Sequence, residues 1–204
     1  MDEIVWGEIR AKGFYQRNRS LGSALPSLRS LIADLKPRSL RVDRLYPRKK
    51  NEAKPNSLSA YYGTGAFPPH TDFALKSLPP KYVALFCPVA RLGMTTLYDG
   101  SSLRAAVKKT GTFRIHSLGK AYSANFFNSN KYGEFYRYNR DLMKPLDENA
   151  HKLGDMIEHA SPDHVIDWEN IAWVLIDNWK ILHGRQETHS TGGWLWRYAL
   201  DTIK

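Results

Sequence analysis

The sequence predicts a mainly β domain, an antiparallel sandwich or barrel with helices packed against it, and three observations carry that expectation. Beyond residue 57 the chain breaks into short apolar or alternating runs separated by turn residues, at 58–62, 82–89, 95–98, 112–117, 122–127, 165–167, 171–176, 180–183 and 194–200. Runs of that length with turn signals between them indicate antiparallel strands. Two longer stretches instead repeat their apolar residues at three- and four-residue steps, the spacing of one helical face. Finally, no repeat, low-complexity linker or compositional break divides the 204 residues, a length suited to one domain with a sizeable core.

The first helical face, over residues 21–35, consists of Leu21, Leu25, Leu28, Leu31, Ile32 and Leu35, and Pro37 ends it. Residues 47–55, reading PRKKNEAKP, are polar, basic and bounded by prolines, and so form an exposed loop. The strand texture follows, interrupted by a second helix over 146–159 that presents Leu146, Ala150, Leu153 and Ile157 on one face and precedes Pro162. The last strands return near the C-terminus.

With 42% hydrophobic and 12% aromatic residues the composition is that of a folded protein, and the negative mean hydropathy argues against a membrane protein. Residues 1–15 lack the basic start and unbroken apolar stretch of a secretory signal, and no apolar run approaches the ~20 residues that span a bilayer. The single cysteine, Cys87, excludes intrachain disulfides and sits in an apolar run as core filler. A cytoplasmic protein is expected. The formal charge of +10 raises attraction to anionic partners such as nucleic acid, anionic lipid or acidic metabolites, although a solvated basic surface is the plainer account of it.

Chemistry first appears at His70-Thr71-Asp72. Residues i and i+2 of a strand share a face and can grip one ion together. The best-placed third ligand is His183, where an Asp177-Asn178 turn feeds a short apolar strand ending in histidine. Two imidazoles and a carboxylate on three corners of an octahedron leave the opposite face open, which suits iron(II) awaiting a chelating cosubstrate and O₂. Arg197, fourteen residues further on, lies among aromatic and aliphatic neighbours, where its planar fork suits a carboxylate.

These motifs, in this order, resemble the 2-oxoglutarate-dependent dioxygenases of the taurine dioxygenase and clavaminate synthase type, over roughly two-thirds of the chain from Gly63 to Asp201. Pro79-Pro80 and the strand after it follow the HxD triplet as in that family. Gly93-Met94-Thr95-Thr96-Leu97 is similar to its Gly-Gly-x-Thr-Leu segment, Asp177-Asn178 to His183-Gly184-Arg185 is similar to its distal-histidine strand, and Arg197 stands where its cosubstrate arginine is expected. Met94 departs from the second glycine, and Glu169-Asn170 from a Pro-Gly-Asp turn. The resemblance implies a double-stranded β-helix, or jelly roll. It implies one oxygenase domain over 1–204, with a helical N-terminal part and basic loop over 1–57 and a jelly-roll core over 58–204 carrying an insertion near 128–162. It further implies Fe(II) held by His70, Asp72 and His183, 2-oxoglutarate met by Thr96 and Arg197, and consumption of O₂ with release of succinate and CO₂. A carboxylate at position 72 leaves no place for chloride, so hydroxylation, desaturation or ring closure is expected rather than halogenation.

For the substrate, Arg185 shares a strand face with His183 and points either to substrate or to Asp177 or a backbone carbonyl. Asp201 lies four positions beyond Arg197, where relatives acting on acidic substrates can carry another arginine; it either selects a cationic group or caps the strand end in solvent. The basic-aromatic run 131–140 is expected as a lid, although its texture can also stack bases. His116, His151, His159, His164 and His189 are expected as surface or hydrogen-bonded residues. The leading expectation is an oxygenase of a small, amino-acid-like or cationic molecule, with no membrane association and no indication of oligomeric state. The alternatives are an oxygenase of nucleic acid or protein, the former possible but not favoured, and a non-catalytic metal-binding jelly-roll module.

Overall fold

The chain begins with helix α1 (Glu3–Lys12), which buries Val5 and Ile9 and carries its acid in the first turn and its bases in the last, matching the helix dipole. Gly13, at a φ of 79°, turns it into strand β1 (Phe14–Asn18). Helix α2 (Ala24–Leu35) buries Leu28, Leu31 and Ile32 as the periodicity predicts, and ends at the left-handed Lys36 just before Pro37. The computed structural model describes the chain apart from residues 1–2, 20–22, 55–56, 90–92, 108, 110, 118–119, 189–192 and 203–204, so Leu21 and His189 lie outside the described residues. Strand β2 (Ser39–Leu45) and a 3-10 turn (Lys50–Glu52) follow.

Residues 58–62, expected as a strand, instead form a short helix, α3 (Leu58–Tyr62), capped by the Ser57 hydroxyl accepting the Ala60 N–H. Over five residues alternation does not separate strand from helix, and the cap decides. The remaining elements are β3 (Phe67–His70), β4 (Tyr82–Phe86), β5 (Thr95–Asp99), α4 (Gly100–Ala105), β6 (Thr112–Ser117), β7 (Lys120–Asn125), β8 (Phe127–Asn130), β9 (Gly133–Tyr136), β10 (Met143–Pro145), α5 (Glu148–Glu158), β11 (His164–Ile166), β12 (Ile171–Asp177), β13 (Ile181–Arg185) and β14 (Leu195–Asp201).

Two antiparallel sheets, β1-β12-β4-β14-β2 and β11-β5-β13-β3, face each other. Val83, Leu85, Val174 and Ile176 of the first meet Leu97, Ile166 and Ile181 of the second in a shared core, which also takes in the buried Cys87. Helices α1 and α2 cover the outer face of the first sheet over Ala84, Phe86, Trp173 and Leu200. The small sheet β10-β6-β7 and α5 pack over Tyr98 and Leu182, the outer face of the second. This is a jelly roll with flanking helices. Residues 1–57, expected to be helical with a basic loop, also supply β1 and β2 to the five-stranded sheet. No described helix is long and apolar enough to cross a membrane.

Strand alternation decides what the interior sees. Ile181 lies between the sheets and Leu182 outside, so His183 returns to the interior. Gly184 then has to be a glycine: a Cβ there would stand 2.7 Å from the Phe67 carbonyl oxygen and 2.8 Å from Thr96 Oγ1.

Candidate metal centre

His70 ends β3 and stands opposite His183 across the β3–β13 ladder. Pro68 and Pro69 cannot donate to a ladder, and β3 accordingly lies at the sheet edge. Asp72 is not on the strand, contrary to the reasoning from residues i and i+2; the chain leaves the sheet at Thr71 and Asp72 opens a turn. Asn178 holds it there. The Asp72 N–H donates to Asn178 Oδ1 at 3.0 Å, and Asn178 Nδ2 donates to the carbonyls of Asp72 (3.2 Å) and Pro80 (2.9 Å). The next residue, Phe73, takes a φ of 58°, uncommon for a bulky side chain.

One nitrogen of each histidine and one oxygen of Asp72 lie within 4.8 Å of one another, and all three residues are buried. His70 Nδ1 sits 3.0 Å from the Pro68 carbonyl, which can only accept, so Nδ1 carries the proton and Nε2 the lone pair. His183 Nε2 is 3.6 Å from Asp72 Oδ2, a buried carboxylate oxygen with no hydrogen-bond partner. Burial pushes His183 down to about 3 and lowers His70, so both imidazoles are neutral ligands at pH 7. Burial alone would raise Asp72, but the charge and hydrogen bond of Arg197 lead the interactions that outweigh it and hold the carboxyl below its usual range. Two neutral nitrogens and one ionised oxygen fit a divalent first-row metal such as iron(II).

The depressed histidine sets a pH dependence. His183 folds with its pKa below the ~6.5 of an unfolded histidine, so the unfolded chain binds more protons between those values. Its contribution to stability is fully present above pH ~6.5 and declines as pH falls toward 3. The melting temperature of the metal-free protein should be level above pH 7 and fall below about 6.5, and His183→Gln should flatten that fall. An unchanged slope in the variant would assign it to other groups.

Arg197 projects from β14 toward the same place. Its Nη1 donates to Asp72 Oδ1 at 2.6 Å and its Nη2 to Asp43 Oδ2 at 2.8 Å, while its buried Nε has no partner. Asp43, directly opposite Arg197 in the β2–β14 register, also accepts from Arg41 at 3.1 Å. Burial favours the neutral guanidine, but the two carboxylates override it and raise Arg197.

Thr96 is not beside Arg197. It shares the outward face of β5 with Tyr98, whereas Thr95 lines the cavity, its Oγ1 accepting the Trp168 indole N–H at 3.0 Å. Arg185 reaches the cavity wall, but its Nη2 donates to the carbonyls of Gly63 (2.8 Å) and Gly65 (2.7 Å), and its guanidinium lies 3.7 Å from the centre of the Phe67 ring. Burial lowers its pKa to about 10. Asp201 is absent from the cavity lining. β14 runs without a bulge from Leu195 to Asp201, so four residues carry Asp201 about 13 Å along the strand; it is half-buried, and its carbonyl accepts the Arg38 N–H.

The 131–140 segment is not a lid. β8 and β9 form a ribbon docked on the turn at Trp179, Arg137 is buried and donates to the Ser77 carbonyl, and Tyr138 donates to Glu158. Only Asn139 of this segment lines the cavity. His159 faces the Asp155 carbonyl and His164 meets Gln16, while His116 and His151 are exposed.

Sequence reasoning did not single out Asp43, Thr95 or the clamping role of Asn178. A signal existed for Asp43 in the alternation of Ser39–Leu45, which reads as a strand with Arg41 and Asp43 on one face. For Asn178 we expect the alanine variant to weaken metal binding about 10–100-fold, as loss of a ligand-orienting partner does. The melting temperature should also fall, since the freed Asp72 N–H and two carbonyls cost about 1–3 kcal/mol each when unpaired. Full metal affinity in a destabilised Asn178→Ala would reduce its role to scaffolding.

The sequence matches no family model and no curated protein. Solved structures do match. PvcB of Pseudomonas aeruginosa, described as an Fe, α-ketoglutarate-dependent oxygenase from an isonitrile synthetic pathway, aligns over 98% of this chain and 79% of its own at 15% identity, with a TM-score of 0.67. Asparagine oxygenase, solved with Fe(II), hydroxyasparagine and succinate, aligns over 79% of this chain at 16% identity and a TM-score of 0.59. The non-haem iron oxygenase OrfP, solved with Fe, succinate and hydroxyarginine, does so at 14% and 0.53. This chain spans 56% of the length of each of the latter two. The chain has the jelly-roll fold found in these Fe/α-ketoglutarate-dependent oxygenases.

Proposed function

We propose that this protein is a non-haem iron(II), 2-oxoglutarate-dependent oxygenase that oxidises a C–H bond of a small molecule, most simply by hydroxylation, with release of succinate and CO₂. The observation that carries the reading is the convergence of His70, Asp72 and His183 on one buried point beside the guanidinium of Arg197. Iron(II) would supply activation of O₂ coupled to decarboxylation of the 2-oxo acid. The chain's own residues do the rest. His70 and His183 present neutral nitrogens, and Asp72 supplies the negative oxygen. Arg197, steadied by Asp43, offers the cationic fork that fixes the cosubstrate's far carboxylate. Thr95, not Thr96, takes the assisting role: with Trp168 donating to its oxygen, the hydroxyl proton remains free for a carboxylate.

The cavity has a volume of about 540 Å³, in the range of small-molecule sites. That favours a small substrate over a nucleic acid, as does the burial of Arg137 and Tyr138 in the basic-aromatic run. A non-catalytic module has no use for Arg197 and Thr95 beside a metal triad. Anaerobic addition of Fe(II) and 2-oxoglutarate should produce the weak visible absorption of the iron chelate, and O₂ should then yield succinate. Absence of both from a folded, metal-loaded protein would end this reading.

A further inference from the structure

The charged residues that line the cavity are unevenly divided. Arg41, Arg44, Arg48, Lys54, Lys76, Arg185 and Arg197 face two carboxylates, those of Asp43 and Asp72. Both carboxylates are occupied by Arg197, and Asp43 additionally by Arg41. Lys76 and Lys54 have no carboxylate partner among the described residues. The cations also have a focus. The half-buried ring of Phe73 stands between three of them, with Arg197 at 4.7 Å, Arg41 at 5.1 Å and Lys76 at 5.2 Å from its centre. Phe73 holds this place through the left-handed backbone that follows Asp72, so the ring stands next to the candidate metal ligand one residue away.

A cleft with low-dielectric walls and charges of one sign concentrates ligands of the opposite sign. A guanidino or amino substrate would enter against this field and meet no uncommitted acid, since Asp201, the acid the sequence offered for such a group, is not in the lining. We infer that the substrate is a small organic anion, a carboxylate, sulfonate or phosphate, whose charged group is received by Lys76 and Arg41 beside the Phe73 ring. This names the substrate class of the oxygenase reading and rests on it for the reaction, but the binding itself needs no turnover.

The test is a calorimetric titration of the metal-free protein, and of the anaerobic Fe(II)/2-oxoglutarate form, with phenyl phosphate, benzenesulfonate and benzylammonium. Both anions should bind at least tenfold tighter than benzylammonium, and more weakly as NaCl is raised from 0.05 to 0.5 M, because the rim charges are screened. Lys76→Gln should weaken the anions about two- to fivefold and Lys76→Glu more, whereas Lys152→Gln, on the distant helix α5, should change nothing. Equal binding of the cation, or indifference to Lys76→Glu in a variant with an unchanged melting temperature, would overturn the inference. So would loss of phenyl phosphate binding once 2-oxoglutarate is present, which would place the anion at Arg197 instead. Selective anion binding without the iron chelate's absorption would leave the anion site standing and remove the oxygenase reading.

Discussion

Asp72→Ala should lose iron(II) binding and with it the visible absorption of the 2-oxoglutarate chelate, while remaining folded. The two halves of that expectation have separate causes. The carboxylate is the one anionic donor of the triad, and removing it should weaken metal binding by more than the ~10–100-fold typical of a merely orienting partner. The fold survives because Asn178 grips the backbone of residue 72 and not its side chain, so alanine keeps those hydrogen bonds. Arg197 also retains Asp43. Equilibrium dialysis under nitrogen, with a thermal melt on the same sample, checks both halves. A folded Asp72→Ala that still produces the absorption would show that the metal sits elsewhere.

Arg197→Ala should act on cosubstrate and stability together, in proportions that depend on metal. Losing a buried charge-assisted partner should raise the 2-oxoglutarate requirement by ~2–5 kcal/mol. Thr95→Val should move the same quantity less, and Thr96→Val, facing away, should not move it. In the metal-free protein Asp72 keeps no cation within hydrogen-bond reach and Asp43 keeps only Arg41, and breaking a buried pair of this kind costs about 3–5 kcal/mol. A divalent ion compensates Asp72, so metal should recover part of the lost melting temperature. Iron affinity and cosubstrate affinity falling equally, with no recovery on adding metal, would mark Arg197 as a structural residue only.

The residues that converge on the candidate metal centre were legible from sequence because their positions follow from local pattern. His183 lies on the same face as Ile181, and Gly184 marks where two strands pass too close for a side chain. Long helices were legible through their apolar period, and α2 and α5 end near their expected limits. What depends on pairing between distant segments was not legible. Asp43 matters only because β2 lies against β14, and nothing near residue 43 records that register. The exchange of Thr96 for Thr95 is a matter of one residue in a strand, and a shift of one exchanges the two faces. The turn at Asp72 was misjudged as strand because its geometry is imposed by Asn178, 106 residues away.

That separation bears on how the protein comes to exist at all. The two portions of the candidate triad sit at opposite ends of a chain segment more than a hundred residues long, and the ladder between β3 and β13 and the side chain of Asn178 help to bring them together. Contacts of such long reach form late and slowly, because closure of the intervening loop must precede them. Until β3 and β13 pair, the candidate ligand set is incomplete. Metal added during refolding should leave the early phases untouched and capture the final one, making a bound ion a reporter of completed topology and a brake on its undoing.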